Sequence, residues 1–305
     1  MRNRNFLLTS QIIRGHWFMH PEEVMAAGLQ LQELFDISQS RSNSSFTEIG
    51  PLPKMVISAN DSNEEVPSYD EAQSDAIALF SVSGTMLKYG TMCSYGTAEI
   101  AEDILLAAEN KNIKAAVFEI DSGGGAVNSV PPLAYAVRKF KSSGKSIIAL
   151  IDSAYSAAYW LASECDHIMA GNSVSAGAGS IGVMMSFADA KGYYEQRGYK
   201  VHTIYAPESS EKNKPFELAL EGKYEMIQTE QLSPLAVKFQ NTVKANRQGK
   251  LKMDDGDKVL KGKTYMSEAA LDIGLIDSIG NRDRAISWAR DRVTAYNFMQ
   301  EFNQQ

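Results

Sequence analysis

Ser156 sits in YSAAYW, where the apolar run SIIALID (146–152) gives way to small residues. A strand that ends in a turn at a helix start sets a hydroxyl beside unpaired backbone N–H groups and the positive end of a helix dipole. That setting suits a nucleophile, and a serine there also reads as an ordinary helix N-cap. One strand earlier, DSGGGAVNS (121–129) places Gly123, Gly124 and Gly125 at the end of KAAVFEID. Consecutive glycines let the backbone approach a ligand and offer N–H groups to a developing oxyanion. A flexible strand-to-helix turn is the plain reading of the same residues. The glycines are followed by no GK[ST] and form no GxGxxG, so no phosphate-loop signature is present.

A nucleophilic serine needs a base. None of the four histidines, His16, His20, His167 and His202, has a motif around it that would make a Ser-His-Asp arrangement. Lysine is the remaining choice, and it serves only when burial or neighbouring charge lowers its pKa from about 10.4. Lys212 and Lys214, in YAPESSEKNKPFE (205–217), are the candidates. Two lysines in a polar loop are otherwise simply solvated.

The elements that must position these residues follow from periodicity. Strands are predicted over 77–84, 114–121, 145–152, at HIMAG (167–171) and over KVHTIYAP (200–207). Helices are predicted over 97–111, 129–144, 154–166, 187–199 and, as one long stretch, 217–249. Residues 257–280 read as strand–helix–strand. Strands alternating with helices at this spacing mean βαβ units, a mainly parallel sheet and an α/β fold. Ligands of such sheets bind beyond the carboxyl ends of the strands, where both singled-out segments fall. Four regions are expected: an N-terminal helical arm (1–36), a Ser/Asn/Asp/Glu-rich linker or flap (37–75), the α/β core (76–280) and a C-terminal helix (281–305). Trp288, Tyr296 and Phe298 in that last helix offer either core packing or an oligomer contact.

Bulk properties narrow the class. The chain has 305 residues, 44% hydrophobic and 22% charged, with a net charge of −7 that argues against a nucleic-acid partner. Cys93 and Cys165 form no CxxC and no metal-ligand pattern, which fits a reducing compartment. No run approaches 18 apolar residues and the basic N-terminus lacks a signal-peptide core, so a cytoplasmic protein without a membrane anchor is expected.

YSAAYWLASECDHIMAGNSVSAGAGSIGVM resembles the nucleophile segment of the S49 serine peptidases, the signal peptide peptidase A family and its phage-encoded members. DSGGG is similar to that family's Asn-Ser-Pro-Gly-Gly, with Asp121 for Asn and Gly123 for Pro. The resemblance spans roughly residues 77–280 and implies a ClpP/crotonase-like arrangement of stacked βαβ units. It implies Ser156 as nucleophile, Gly125 with Gly124 and the N–H of Ala157 as oxyanion hole, and Ser180 as the hydroxyl that orients a lysine base. The chain departs from the pattern at that base. Counting back from Pro215-Phe216, the family's lysine position falls on Ser210, so a shifted Lys212 is expected to serve, with Lys214 as the alternative. The resemblance implies peptide hydrolysis through an acyl-enzyme without metal or cofactor, a polypeptide substrate, small or apolar side chains at the S1 site, and assembly into a homo-oligomeric ring. RGHWFMHPEEV (14–24) is similar to the arm of phage-type members, which implies a phage or prophage head-maturation protease acting on scaffold or capsid proteins in the host cytoplasm. Two rival expectations share the fold: a catalytically inactive scaffold or capsid-associated protein that lost the lysine, and a crotonase-like enzyme that binds acyl-CoA.

Overall fold

A computed structural model describes residues 17–19, 52, 54–58, 65–90, 94–187, 189, 191–200, 202–252 and 258–303. Its central strands are β4 (Ala76–Ser83), β5 (Ile113–Ser122) and β7 (Ser146–Tyr155), paired side by side and parallel. All three are apolar along both faces, as a parallel strand covered on both sides must be. Successive β5 residues alternate between two clusters. Ala116, Phe118 and Ile120 face one, and Ala115 and Val117 face the other. The first cluster lies under α1 (Thr97–Glu109), α2 (Val130–Ser142) and α3 (Ala157–Glu164).

β7 divides its outer edge between two partners. Its first half pairs with β8 (His167–Ala170), and Ser153, Ala154 and Tyr155 pair with Gly177, Ala178 and Gly179 of β9. β9 (Gly177–Gly179) is flanked in turn by antiparallel β10 (Thr264–Met266), and β11 (Ser278–Ile279) runs parallel to β8.

The sheet begins earlier than the expected boundary at residue 76. β2 (Met55–Ile57) pairs antiparallel with β4, and β3 (Glu65–Val66) with β2. Tyr69 and Ala72 are buried, and the Tyr69 hydroxyl donates to Asp103 on α1 at 2.9 Å. Part of the expected linker is therefore core. Its strands are too short for alternation to show, and they are fixed by a partner some twenty residues away.

Three other expectations change. KVHTIYAP forms no strand over its described residues 202–206, and Ile204 is 91% exposed, so no neighbouring strand uses its apolar side. The expected helix over 217–249 is broken into α5 (Lys214–Leu220), a break at Gly222 with φ +79, a π-helical turn (Gln228–Leu232) and α6 (Ser233–Asn246). Of the expected helical arm, the described piece is an extended strand, β1 (Trp17–Met19); residues 1–16 and 20–36 lie outside the described residues. Of the remaining short helices, α7 (Ser267–Asp272) packs Ala270 into the core, and α4 (Lys191–Gln196) is exposed at its described side chains.

The C-terminal helix α8 (Arg282–Asn303) covers the second face of the sheet through Ala285, Ile286, Ala289 and Val293. Of these, the larger buried side chains Ile286 and Val293 each contribute about 1.5–3 kcal/mol. Trp288 packs beside His167 and under Arg292, and Lys114 lies over the Tyr296 ring. Trp288 and Tyr296 therefore serve intrachain packing, while Phe298 stays 67% exposed.

Candidate active site

The β7–β9 register determines the site. Its last pair is Tyr155 with Gly179, so the next residues, Ser156 and Ser180, emerge side by side at the carboxyl end of the sheet. Both have φ +55, a conformation an L-residue holds at a cost of about 1–2 kcal/mol. Each is pinned by its backbone. Ser156 donates its N–H to the Gly179 carbonyl at 2.8 Å, and Ser180 donates to the Lys263 carbonyl at 2.9 Å.

The N-cap alternative for Ser156 fails on geometry. An N-cap has extended backbone and a side-chain oxygen bonded to the helix, whereas Ser156 has ψ −119 and makes no cap hydrogen bond. Among the described residues its hydroxyl reaches only the Gly182 carbonyl, at a long 3.5 Å. The side chain is thus weakly held, at a strained strand-to-helix turn, on a residue that is 1% exposed. This is how a fold presents a nucleophile at the end of a strand.

The helix behind it is rigid. Every residue of α3 is buried. The Tyr159 hydroxyl donates to the Leu275 carbonyl at 2.8 Å, Trp160 stacks on Phe239, and Arg138 pairs with Glu164. Ala157 and Ala158 allow close approach at the first turn, where helix N–H groups lack intrahelical partners.

The glycine strand lies beside it. The β5–β7 pairing ends at Ser122 with Ala154, so Gly124 and Ser156 each follow two residues beyond it on neighbouring segments. β6 (Gly124–Ala126) is held by Met86, which donates to the Gly124 carbonyl and accepts from the Ala126 N–H. A Cβ at Gly125 would collide with the Met86 carbonyl, so this approach requires glycine. Gly124 takes φ +107, and its N–H is already donated to Ser122 Oγ at 3.1 Å. Of the two glycines expected in the oxyanion hole, Gly124 is therefore engaged elsewhere, and Gly125 keeps an N–H directed away from Met86.

Ser122 was not singled out by the sequence. Its hydroxyl donates to the Gly84 carbonyl at 2.5 Å while accepting from Gly124. It is the buried clasp that bends β5 into β6. A serine just before a glycine run was the only available signal. Ser122→Ala leaves the Gly124 amide and the Gly84 carbonyl short of a partner, and is expected to cost about 1–3 kcal/mol in chemical denaturation.

The lysines are less well placed. Lys214 Nζ rests on both carboxylate oxygens of Glu211 at 2.9 Å. Lys212 is exposed on the turn between the short helix Pro207–Ser209 and α5. No hydrogen bond joins either lysine to Ser156 or Ser180 among the described residues. What ties their loop to the site is Phe216, whose ring lies 5.0 Å from that of Phe187, on the segment leaving Ser180 and Gly182. Among the described residues no group of His, Cys, Asp and Glu is arranged to hold a metal ion, and no helix is long and apolar enough to cross a membrane.

A mostly parallel sheet leads at its carboxyl end into a strained serine, a helix N-terminus and a glycine strand, an arrangement in an α/β protein whose chemistry suits acyl transfer. The chain belongs to peptidase family S49, whose pattern matches residues 139–295, a span that includes Ser156, Ser180, Lys212 and Lys214. It is 26% identical over 235 residues to the chloroplastic serine protease SPPA of Arabidopsis thaliana, covering 72% of this chain and 32% of that one. It is 25% identical over 219 residues to protease 4 of Haemophilus influenzae, covering 71% and 35% respectively. The chain thus spans about a third of the length of these relatives. A solved structure of a membrane-bound stomatin-specific protease aligns over 72% of this chain and 85% of its own, at 14% identity and a TM-score of 0.44.

Proposed function

We propose that the chain is a serine endopeptidase that cleaves polypeptides through an acyl-enzyme. The observation that carries this reading is Ser156, held at a strained strand-to-helix turn beside the glycine strand with its hydroxyl uncommitted to its helix. In the proposed reaction Ser156 Oγ attacks the peptide carbonyl as a base removes its proton. The amides of Gly125 and Ala157 hold the oxyanion. The base then protonates the leaving amine, and water releases the acyl group. Lys212 is the proposed base and Ser180 the hydroxyl that orients it. The Phe187–Phe216 contact supports this choice, because it keeps the lysine turn beside the Ser180 segment. The ion pair with Glu211 disfavours Lys214, since its amine is already engaged by both carboxylate oxygens and points to Glu211.

The test compares wild type, Ser156→Ala, Lys212→Ala and Lys214→Ala on unfolded casein at mildly alkaline pH, with products read by mass spectrometry. Loss of cleavage in Ser156→Ala and Lys212→Ala, with Lys214→Ala active, is the expected pattern. An active Lys212→Ala removes Lys212 from the mechanism.

The finer setting proposed is a phage or prophage head-maturation protease, assembled as a homo-oligomeric ring and acting on scaffold or capsid proteins. It rests on the similarity of residues 14–24 to phage-type members. Light scattering of the purified chain tests the ring, and a monomer at working concentration would sink it. The inactive-scaffold reading draws on a specific observation: Ser210 stands where the family has its lysine, and Lys214 is spent on Glu211. Absence of cleavage in every assembly state would favour it.

A further inference from the structure

The Gly125 amide that the chemistry needs is not open. Met86 takes the Gly124 carbonyl and the Ala126 N–H on one side of β6. Alternation along a strand then turns the N–H and C=O of Gly125 to the opposite side. That side is held by β1, which runs antiparallel with Trp17 opposite Ala126, Phe18 opposite Gly125 and Met19 opposite Gly124. In this register Phe18 and Gly125 form the pair that exchanges both backbone hydrogen bonds.

A polypeptide entering for cleavage needs the same edge. It must lie extended with a carbonyl on the Gly125 N–H, adding a strand to β6 by main-chain pairing. We infer that the chain's own strand Trp17–Met19 is a built-in occupant of the peptide-binding edge Gly124–Ala126, and that substrate binds only after it leaves. The identity of the edge as the substrate edge rests on the peptidase reading above; the occupancy itself rests on the strand pairing. β1 is three residues long and pairs with β6 alone, in a two-stranded sheet separate from the main one. A few net hydrogen bonds of about 0.5–1.5 kcal/mol each hold it there, so a polypeptide can displace it.

The experiment uses the full chain with Phe18→Pro, which removes the Phe18 N–H donor. Hydrogen exchange is followed at Gly125, with the amides of Val117 to Ile120 in β5 as the folding control. In parallel, fluorescein-labelled casein is titrated into Ser156→Ala with and without Phe18→Pro. The expected result is Gly125 exchange faster by roughly tenfold with β5 protection unchanged, and casein bound roughly tenfold more tightly. The free peptide of residues 14–24 is expected to displace casein from Ser156→Ala both with and without Phe18→Pro, and the arm without it does not depend on how Phe18→Pro affects folding. Unchanged Gly125 exchange, unchanged casein affinity or a peptide that fails to compete would each overturn the inference. So would wild-type chain that cuts itself between residues 17 and 19, because the strand would then be a substrate and not a blocker. If exchange and affinity change as expected but no Ser156-bearing form cleaves casein, the occupancy stands and the peptidase reading fails.

Discussion

Replacing Ser156 with alanine is expected to lower casein hydrolysis by roughly a millionfold, leaving only what backbone donors and binding sustain. Loss of activity alone would not separate a nucleophile from a structural serine, so stability supplies the second readout. Ser156 makes no cap hydrogen bond and only a 3.5 Å contact to Gly182, so its hydroxyl contributes little to folding. Alanine at φ +55 carries the same backbone strain and is expected to leave the melting temperature nearly unchanged. Glycine at that position is free of the strain, and Ser156→Gly is expected to gain about 1 kcal/mol while remaining inactive. A residue whose removal stabilises the fold and ends the reaction is held in place for chemistry. A Ser156→Gly variant that loses stability would mean that the hydroxyl is structural.

The largest expected effect on folding lies at Arg247, 2% exposed at the end of α6. Its guanidinium donates to both oxygens of Asp277 at 2.8 and 3.0 Å and to the Gly274 carbonyl at 3.1 and 2.7 Å. Asp277 also accepts from the Ile168 N–H on β8 and pairs with Lys250. The same turn carries the Leu275 carbonyl that anchors Tyr159 on α3, so this network braces the helix behind Ser156. Arg247→Met strips the turn of its guanidinium donors and leaves Asp277 with Lys250 and the Ile168 N–H. Breaking such a buried pair is expected to cost about 3–5 kcal/mol. Chemical denaturation would read it directly, and a midpoint shift worth under about 1 kcal/mol would mean that water replaces the guanidinium.

The pH dependence has a definite sign. Burial pushes Asp277 up, but the hydrogen bonds from Arg247 and Lys250 outweigh it and hold the carboxyl at about 2, below its ordinary 3.8. A depressed acid contributes stability above its unfolded pKa and loses it as pH falls through the folded value. This contribution, roughly 2 kcal/mol, is therefore expected to disappear between about pH 4 and pH 2 in wild type. In Arg247→Met that acid-dependent step should shrink.

Much of this arrangement was legible in the sequence. Long apolar runs such as KAAVFEID and SIIALID declared themselves as central strands because both of their faces are buried. Ser156 and the glycines stood out because small residues cluster where no core needs them. The pairing of Ser156 with Ser180 follows from the β7–β9 register, a contact between strands that no local pattern encodes. β2 and β3 escaped because two or three residues cannot show a period, and their partners are distant in the chain. The strand expected over 200–207 failed for the converse reason, since alternation there has no neighbour to satisfy. Ser122 and Arg247 were invisible because each acts through backbone carbonyls and amides brought near only by folding. The base stayed the least legible: Lys212 occupies an exposed polar turn, and no local pattern around it marks a lysine that meets a serine.

In the proposed reaction Ser156 forms the acyl-enzyme. The most direct measurement is the intact mass of the folded chain after incubation with a peptidyl phosphonate ester, a reagent that phosphonylates activated serines, followed by peptide mapping. A single stoichiometric adduct is expected on the peptide bearing Ser156, lost on prior unfolding and absent in Ser156→Ala. An adduct on another residue, or none in a folded chain that still cleaves casein, would contradict it.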